Sequence, residues 1–181
     1  MRKSLGPRRQ EHSFSVAALA ETLCLRYGAS PQKGFLAGLA HDIAREKPEE
    51  QLLILAAADG RPLAEYERQN PVLLHGRAAA AILCGELGVE DEEVLQAVRD
   101  HVAGRPAMGM LAKILFAADF LEPGRPFLNA EFRRKTLGLE LDAMLLMVME
   151  RLFDYFRQEG IPMAEPACRM YEELRAHVQR H

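Results

Sequence analysis

The sequence lacks the features that mark several classes of protein. Its three cysteines, Cys24, Cys84 and Cys168, lie far apart and form no C-x-x-C pair. This pattern argues against a disulfide framework or a thiolate site, and we expect small buried side chains in a reducing compartment. No apolar run is long enough to cross a bilayer, and no apolar signal segment follows the basic N-terminal residues. A cytoplasmic location is therefore expected.

Tryptophan and low-complexity segments are absent, and the net charge is only -3. This charge gives no general attraction to nucleic acid. Apolar residues make up 49% and charged residues 27% of the 181 residues, which is typical of a globular protein that buries one core. We therefore expect a single domain over residues 1–181, without nucleic-acid or membrane partners.

Apolar residues recur at helical spacing along the whole chain, and no alternating run predicts a strand. Pro7 and Gly28 mark the start and the end of a first helix, and Ser30-Pro31 opens a second. The second helix is predicted over 31–47, and further helices over 49–58, 71–87, 91–101, 111–119, 130–137, 139–159 and after 166. The fold class is therefore all-α, a compact bundle of about eight helices.

The adjacent pair His41-Asp42 lies in an apolar helical run. A carboxylate beside an imidazole in such surroundings is costly unless something compensates its charge. A bound metal ion does so, because it neutralises the carboxylate and uses the imidazole lone pair. The pair therefore predicts a metal site.

Further histidines and an aspartate recur at inward positions of other predicted helices. One lone inward histidine is more often a hydrogen-bonded core residue than a ligand, but the combination with the adjacent pair makes coincidence unlikely. The wide spacing excludes a zinc finger and suits a site in the middle of a bundle. His177 and His181, near the C-terminal end, are excluded as solvated. The candidate metal ligands are His12, His41, Asp42, His75, His101 and Asp119.

These residues form the H…HD…D pattern, and the sequence resembles the HD-domain superfamily of metal-dependent phosphohydrolases. The resemblance is closest to the YqeK family of symmetrical diadenosine tetraphosphatases. The segments that carry it are RQEHS at 9–13, LAGLAHD at 36–42, LHG at 74–76, HVAGRP at 101–106 and the stretch from Lys113 to ADFLEPGR at 118–125. The resemblance implies a metal-site core over about 8–125, with supporting helices over about 130–180.

The resemblance also implies a two-metal centre. One metal is held by His12, His41, Asp42 and Asp119, and the second by His75 and His101, with Asp42 as the bridging catalytic residue. Four imidazoles favour a transition ion over magnesium. Iron is what the family implies, and manganese or another divalent ion is an alternative. A metal-bound hydroxide would then cleave diadenosine tetraphosphate between its central phosphates to give two ADP.

Five cations lie close in sequence to the candidate ligands and are candidates for binding the substrate phosphates. Guanidinium groups suit phosphate because they can bind it through two parallel hydrogen bonds. Ordinary surface charge is the alternative interpretation for each of them. The candidates are Arg9, Arg45, Arg105, Lys113 and Arg125.

Three other functions stay open at this point. The first is a nucleotide phosphatase that acts on another nucleotide, which product analysis would distinguish. The second is a di-iron oxygenase, which would consume oxygen, although the arginines favour phosphate. The third is a non-catalytic signalling module, which is disfavoured because every ligand position is filled. The expected partner is a dinucleoside polyphosphate or another nucleotide, and a homodimer is compatible with the sequence.

Overall fold

The computed structural model describes residues 5–180, and His181 lies outside them. Within this range the chain forms ten α-helices and one 3₁₀ turn, with no strand. The α-helices are α1 Pro7–Tyr27, α2 Pro31–Ala40, α3 Glu49–Ala57, α4 Glu65–Gln69, α5 His75–Gly85, α6 Glu92–Asp100, α7 Met110–Leu121, α8 Ala130–Leu137, α9 Leu141–Gln158 and α10 Glu165–Val178. The prediction of an all-α bundle is confirmed.

Local signals in the sequence fix where the first helices begin and end. Pro7 starts α1, and Gly28 ends it with a φ of 74°, a left-handed conformation that glycine adopts without strain. The Ser30 side chain accepts a hydrogen bond from the backbone of Lys33, so it caps α2. Asp91 caps α6 in the same manner.

The second predicted helix is shorter than expected. It ends at Ala40, and residues 41–46 continue as turns. The backbone hydrogen bonds there run between residues three apart, as from Ile43 to Ala40 at 3.0 Å and from Arg45 to Asp42 at 2.9 Å. Hydrophobic periodicity does not separate this tighter winding from an α-helix over six residues. The prediction that His41 and Asp42 lie inside a helix is therefore wrong.

Two other predicted segments also differ in detail. The segment predicted as one helix over 71–87 divides into the 3₁₀ turn Pro71–Leu74 and α5, and His75 begins α5. His101 caps the C-terminal end of α6 and does not lie within that helix. Of the cysteines only Cys24 is buried, and Cys84 is exposed, which corrects that expectation.

The core forms where α1, α2, α6 and α7 pack together, with α5 against α6 and α9 against α7. Two glycines permit close approaches to the backbone of a neighbouring helix. A Cβ on Gly38 would lie 2.6 Å from the Cα of Ala17, and one on Gly76 would lie 2.9 Å from the Val98 carbonyl oxygen. The first contact brings α2 onto α1, and the second brings the start of α5 onto the end of α6. Among the described helices, none is long and apolar enough to span a membrane.

Candidate metal centre

The six candidate ligands converge at the centre of the bundle from five different segments. His12 comes from α1, the 41–42 pair from the turn after α2, His75 from the start of α5, His101 from the end of α6 and Asp119 from α7. Within residues 5–180 they form three overlapping groups whose ligand atoms lie within 4.8 Å of one another. The groups are His12, His41 and Asp42; His41, His101 and Asp119; and Asp42, His75 and His101.

The carboxylate of Asp42 lies between two sets of imidazoles. Its Oδ2 atom is 3.9 Å from Nε2 of His12 and 3.7 Å from Nε2 of His41. Its Oδ1 atom is 3.2 Å from Nε2 of His75 and 3.9 Å from Nε2 of His101. Each oxygen therefore faces a different pair of nitrogen donors.

Asp119 lies on the side of the first pair. Its Oδ1 atom is 3.0 Å from Nε2 of His12 and 3.6 Å from Nε2 of His41. This side of the cluster therefore contains two imidazoles and two carboxylates, whereas the other side contains two imidazoles and shares Asp42.

The backbone orients three of the four imidazoles. In His41, His75 and His101 the Nδ1 atom lies 2.6–2.7 Å from the carbonyl oxygen of the residue three positions earlier. A carbonyl only accepts, so Nδ1–H donates, and the lone pair is left on Nε2. Nε2 is the atom that faces the cluster in each case, which is the orientation a metal-ligating histidine requires.

His12 is oriented by a carboxylate that the sequence analysis missed. Its Nδ1 atom lies 3.2 Å from Oε1 of Glu122, which is only 2% exposed and also accepts a hydrogen bond from the backbone of Gly124. Carboxylates of this kind fix the tautomer of a ligating histidine and raise its basicity. The sequence signal that could have identified Glu122 is its place as an acidic residue directly after the helix that carries Asp119.

Burial and neighbouring charged groups lower the pKa values of three of these side chains, His41, His101 and Asp42. Burial, with the nearby His41 and His75, lowers the pKa of His101 to about 3. Burial also lowers the pKa of His41. For Asp42 burial acts to raise the pKa, but the neighbouring His75, His41 and His101 side chains outweigh it, so its pKa lies well below the usual range. His41 and His101 are therefore neutral imidazoles beside the ionised carboxylate of Asp42.

Two features fit this arrangement to a bound cation. Nε2 of His41 is fully buried, and no hydrogen-bond partner is present for it in the described part of the chain. Nε2 of His75 and Nε2 of His101 lie 3.1 Å apart, so two lone pairs face each other unless a proton or a cation lies between them. Imidazole nitrogens and carboxylate oxygens together suit transition metals, so these residues fit a metal centre.

Comparison with known proteins agrees with this chemistry. The family model for the HD domain matches residues 9–124, which contain all six candidate ligands. The chain belongs to the HD-domain family. It is 31% identical over 163 residues to a symmetrical bis(5'-nucleosyl)-tetraphosphatase of Bacillus subtilis, covering 90% of this chain and 87% of the relative.

A second relative and one solved structure extend the comparison over most of the HD-domain chain. The symmetrical bis(5'-nucleosyl)-tetraphosphatase of Halalkalibacterium halodurans is 33% identical over 92% of this chain and 88% of its own length. The crystal structure of a predicted HD superfamily hydrolase involved in NAD metabolism from Clostridium acetobutylicum superimposes with a TM-score of 0.90. It is 31% identical, and the match covers 99% of this chain and 93% of that one.

Three of the candidate phosphate-binding arginines lie beside the metal centre of the HD domain. Arg9 donates to Oδ2 of Asp42 at 2.5 Å, and Arg125 donates to Oδ1 of Asp119. Arg45 lies with its Nη1 atom 3.5 Å from Nδ1 of His75. All three add positive charge beside the clustered carboxylates.

The other two candidate cations pair with acidic residues outside the cluster. The Nε atom of Arg105 donates to Asp100 at 2.7 Å, and Lys113 donates to Asp142 at 2.7 Å. Neither lines a described cavity that reaches the cluster. His177 also lies near Asp142, with Nε2 at 3.5 Å from Oδ2, away from the metal centre.

Two cavities reach the cluster from outside. The larger, of about 710 Å³, is lined by His101 and Asp119 of the cluster and by Arg45 and Arg125. We call it the aromatic cavity, because its other lining residues include Phe116, Phe120, Phe127, Tyr155 and Phe156. The smaller, of about 490 Å³, reaches His12 and is lined mainly by polar and charged residues such as Arg8, Arg9 and Glu11. Arg125 and Phe127 line both cavities.

Proposed function

We propose that this HD domain hydrolyses diadenosine tetraphosphate symmetrically, consuming one water and releasing two ADP. The observation that carries the proposal is the carboxylate of Asp42, whose two oxygens face two separate pairs of imidazole nitrogens. Such an arrangement suits two adjacent metal ions, which is the usual apparatus for hydrolysing phosphoanhydrides without a protein nucleophile. The names of the two relatives identify the dinucleotide as the substrate class to test.

The proposed ligand set divides along Asp42. His12, His41, Asp42 and Asp119 would hold one ion, and His75, His101 and the shared Asp42 would hold a second. The distances of 3.0–3.9 Å between His12, His41 and the two carboxylates support the first group. The 3.1 Å separation of the His75 and His101 nitrogens supports the second.

Bound metal ions would supply two kinds of chemistry, a water whose pKa is lowered to near neutral and neutralisation of the phosphoryl charge. Four imidazoles favour a transition ion, and we propose iron, with manganese as the ion to compare. The chain supplies the rest. Glu122 and the three backbone carbonyls hold the imidazoles in one tautomer, and the full burial of His41 excludes bulk water from that side.

Arg45 and Arg125 are the proposed phosphate-binding residues. Both line the aromatic cavity together with His101 and Asp119, so their guanidinium groups adjoin the space where phosphates would meet the centre. Burial lowers the pKa of Arg45, but guanidinium groups keep their charge in proteins. The sequence-based assignments of Arg9, Arg105 and Lys113 stay predictions, as do a cytoplasmic location, a homodimer and the absence of nucleic-acid binding.

The test is product analysis by chromatography. Protein supplied with reduced iron, or with manganese, should convert diadenosine tetraphosphate to ADP alone. AMP and ATP in equal amounts would mean asymmetric cleavage and would overturn the proposal. Release of inorganic phosphate from a mononucleotide, with the dinucleotide untouched, would move the assignment to a nucleotide phosphatase.

The phosphate contact is tested by comparing two arginines that lie close in sequence to ligands. Arg125→Ala should lower kcat/KM by about tenfold or more, as losing a charge-assisted hydrogen bond worth about 1.5–3 kcal/mol implies. Arg105→Ala tests the sequence-based assignment of Arg105, and we expect it to have the smaller effect, because Arg105 pairs with Asp100 and does not line the cavity. Metal content is measured for both variants, since Arg125 also contacts Asp119. Equal losses in the two variants would contradict the assignment.

A further inference from the structure

We propose that the aromatic cavity binds one nucleoside of the substrate, and that the α9 residues Arg151, Tyr155 and Gln158 select it. The proposal rests on the proposed function, because it assigns the substrate group that lies beyond the phosphates. It also implies that a substrate with two identical halves is recognised unequally. One nucleoside enters the aromatic cavity, while the other lies outside it.

The cavity is continuous with the metal centre and has the size of a small-molecule site. Its volume of about 710 Å³ falls in the range of about 300–1,000 Å³ that is usual for ligand pockets. His101 and Asp119 line it together with Arg45 and Arg125, whereas α9 contributes lining residues from Arg151 to Gln158. A phosphate chain bound at the centre therefore leads directly into this space.

Aromatic rings line the cavity from two parts of the chain. Phe120 and Phe127, at the end of α7 and in the following loop, pack edge to face with centroids 5.6 Å apart. Tyr155 and Phe156 on α9 form a second pair at 5.5 Å. Phe127 is 56% exposed and Tyr155 is 54% exposed, so both present ring surface that a planar base can cover. Stacking on such rings is a general means of binding nucleobases.

Unused polar groups complete the site. Arg151 and Gln158 line the cavity, and neither side chain makes a hydrogen bond or an ion pair within the described part of the chain. A few free polar groups in a mainly apolar cavity are what give a ligand site its specificity. Arg157, one position before Gln158, pairs with Asp154 and does not line the cavity.

The smaller cavity lacks these features. It is lined by charged residues of both signs, including Arg8, Glu11 and Glu46, and its one phenyl ring, that of Phe127, is shared with the aromatic cavity. A base placed there finds no second ring to stack on. The chain therefore selects one nucleoside strongly and tolerates changes in the other.

The test combines substrates that differ in their number of nucleosides with matched variants on α9. Adenosine 5'-tetraphosphate should be hydrolysed to ADP and pyrophosphate with a KM within a few-fold of that for diadenosine tetraphosphate. The kcat/KM for inorganic tetraphosphate should be tenfold or more below that for diadenosine tetraphosphate. Tyr155→Ala should raise KM for both nucleotides by roughly tenfold, as losing one base–aromatic stack implies. Its kcat on inorganic tetraphosphate should be unchanged. Tyr155→Phe should retain the wild-type KM.

A binding measurement separates this inference from the proposed function. Calorimetric titration of ADP should show one tight site per chain that Tyr155→Ala and Arg151→Ala each weaken by about tenfold, while Arg157→Ala leaves it unchanged. Tyr155-dependent ADP binding in a protein that does not cleave the dinucleotide would support the cavity assignment and contradict the proposed function. Symmetrical cleavage with an unchanged KM and unchanged ADP affinity in Tyr155→Ala would overturn the cavity assignment alone.

Discussion

A close helix–helix contact links packing directly to the metal centre. Gly38 lies in α2 against α1, and an added Cβ would lie 2.6 Å from Cα and 2.8 Å from N of Ala17. Carbon atoms in contact prefer about 3.5–4.0 Å, so the two helices would have to separate by about 1 Å. Because both obstructing atoms belong to the backbone, no side-chain rotation relieves the clash. The carbonyl of Gly38 also accepts the Nδ1–H hydrogen bond of His41.

Two opposing effects set the size of the change in Gly38→Ala. Alanine is favoured over glycine in a helix by about 1 kcal/mol. Overpacking of a core costs about 1–3 kcal/mol, and rigid backbone neighbours favour the upper part of that range. We therefore expect a net loss of about 1–2 kcal/mol in the free energy of unfolding, which lowers Tm by about 2–8 °C for a domain of this size. The displaced carbonyl should also lower the metal content.

The assay is thermal unfolding followed by circular dichroism, together with metal analysis of the purified protein. Gly85→Ala is the matched control, because Gly85 is also helical but an added Cβ meets nothing within 4 Å. It should raise Tm by about 1–4 °C, since only the backbone-entropy gain acts. A Tm for Gly38→Ala equal to or above that of Gly85→Ala, with full metal content, would refute the reasoning.

The remaining predictions concern the ligands themselves. Asp42→Ala should abolish hydrolysis and the binding of both metals, and two metals per chain with near-normal turnover would contradict its bridging role. His75→Ala should lose the metal that His75 and His101 would hold and keep the other, with little activity, whereas His12→Ala should lose the metal on the His12 side. Equal loss of both metals in each variant would mean that the two sites are not separable. Glu122→Gln should weaken metal binding about 10–100-fold with little change in Tm, as titration of the metal-free protein would show. Metal-free protein should lose stability as the pH falls from 6.5 towards about 3, because His101 stays neutral in the folded protein while it takes up a proton in the unfolded chain. The same free energy of unfolding in urea at pH 7 and at pH 5 would contradict this prediction.

Much of the fold follows from local signals in the sequence. Proline and glycine at the ends of α1, the serine cap of α2 and the aspartate cap of α6 act within a few residues, so the helix limits can be predicted from neighbours alone. The ends at Ala40 and His101 were missed because no local signal distinguishes an α-helix from the tighter turns that continue it. In both places the backbone changes its winding at a candidate ligand.

The candidate site also has a part that the sequence predicts and a part that it does not. The types of the six candidate ligands were evident from the sequence, since an adjacent histidine and aspartate in an apolar run need a compensating charge. Their division into two groups around Asp42 depends on distances between five segments of the chain, which no periodicity contains. The same limit applies to the cations, because Arg105 and Arg125 both follow ligand-bearing segments, yet one pairs with Asp100 and the other with Asp119. Sequence by itself determined which chemical groups this protein carries and which segments are helical, because both depend on residue type and near neighbours. Only the tertiary structure decided which groups face one another, because that depends on how closely the helices pack, as Gly38 and Gly76 allow here.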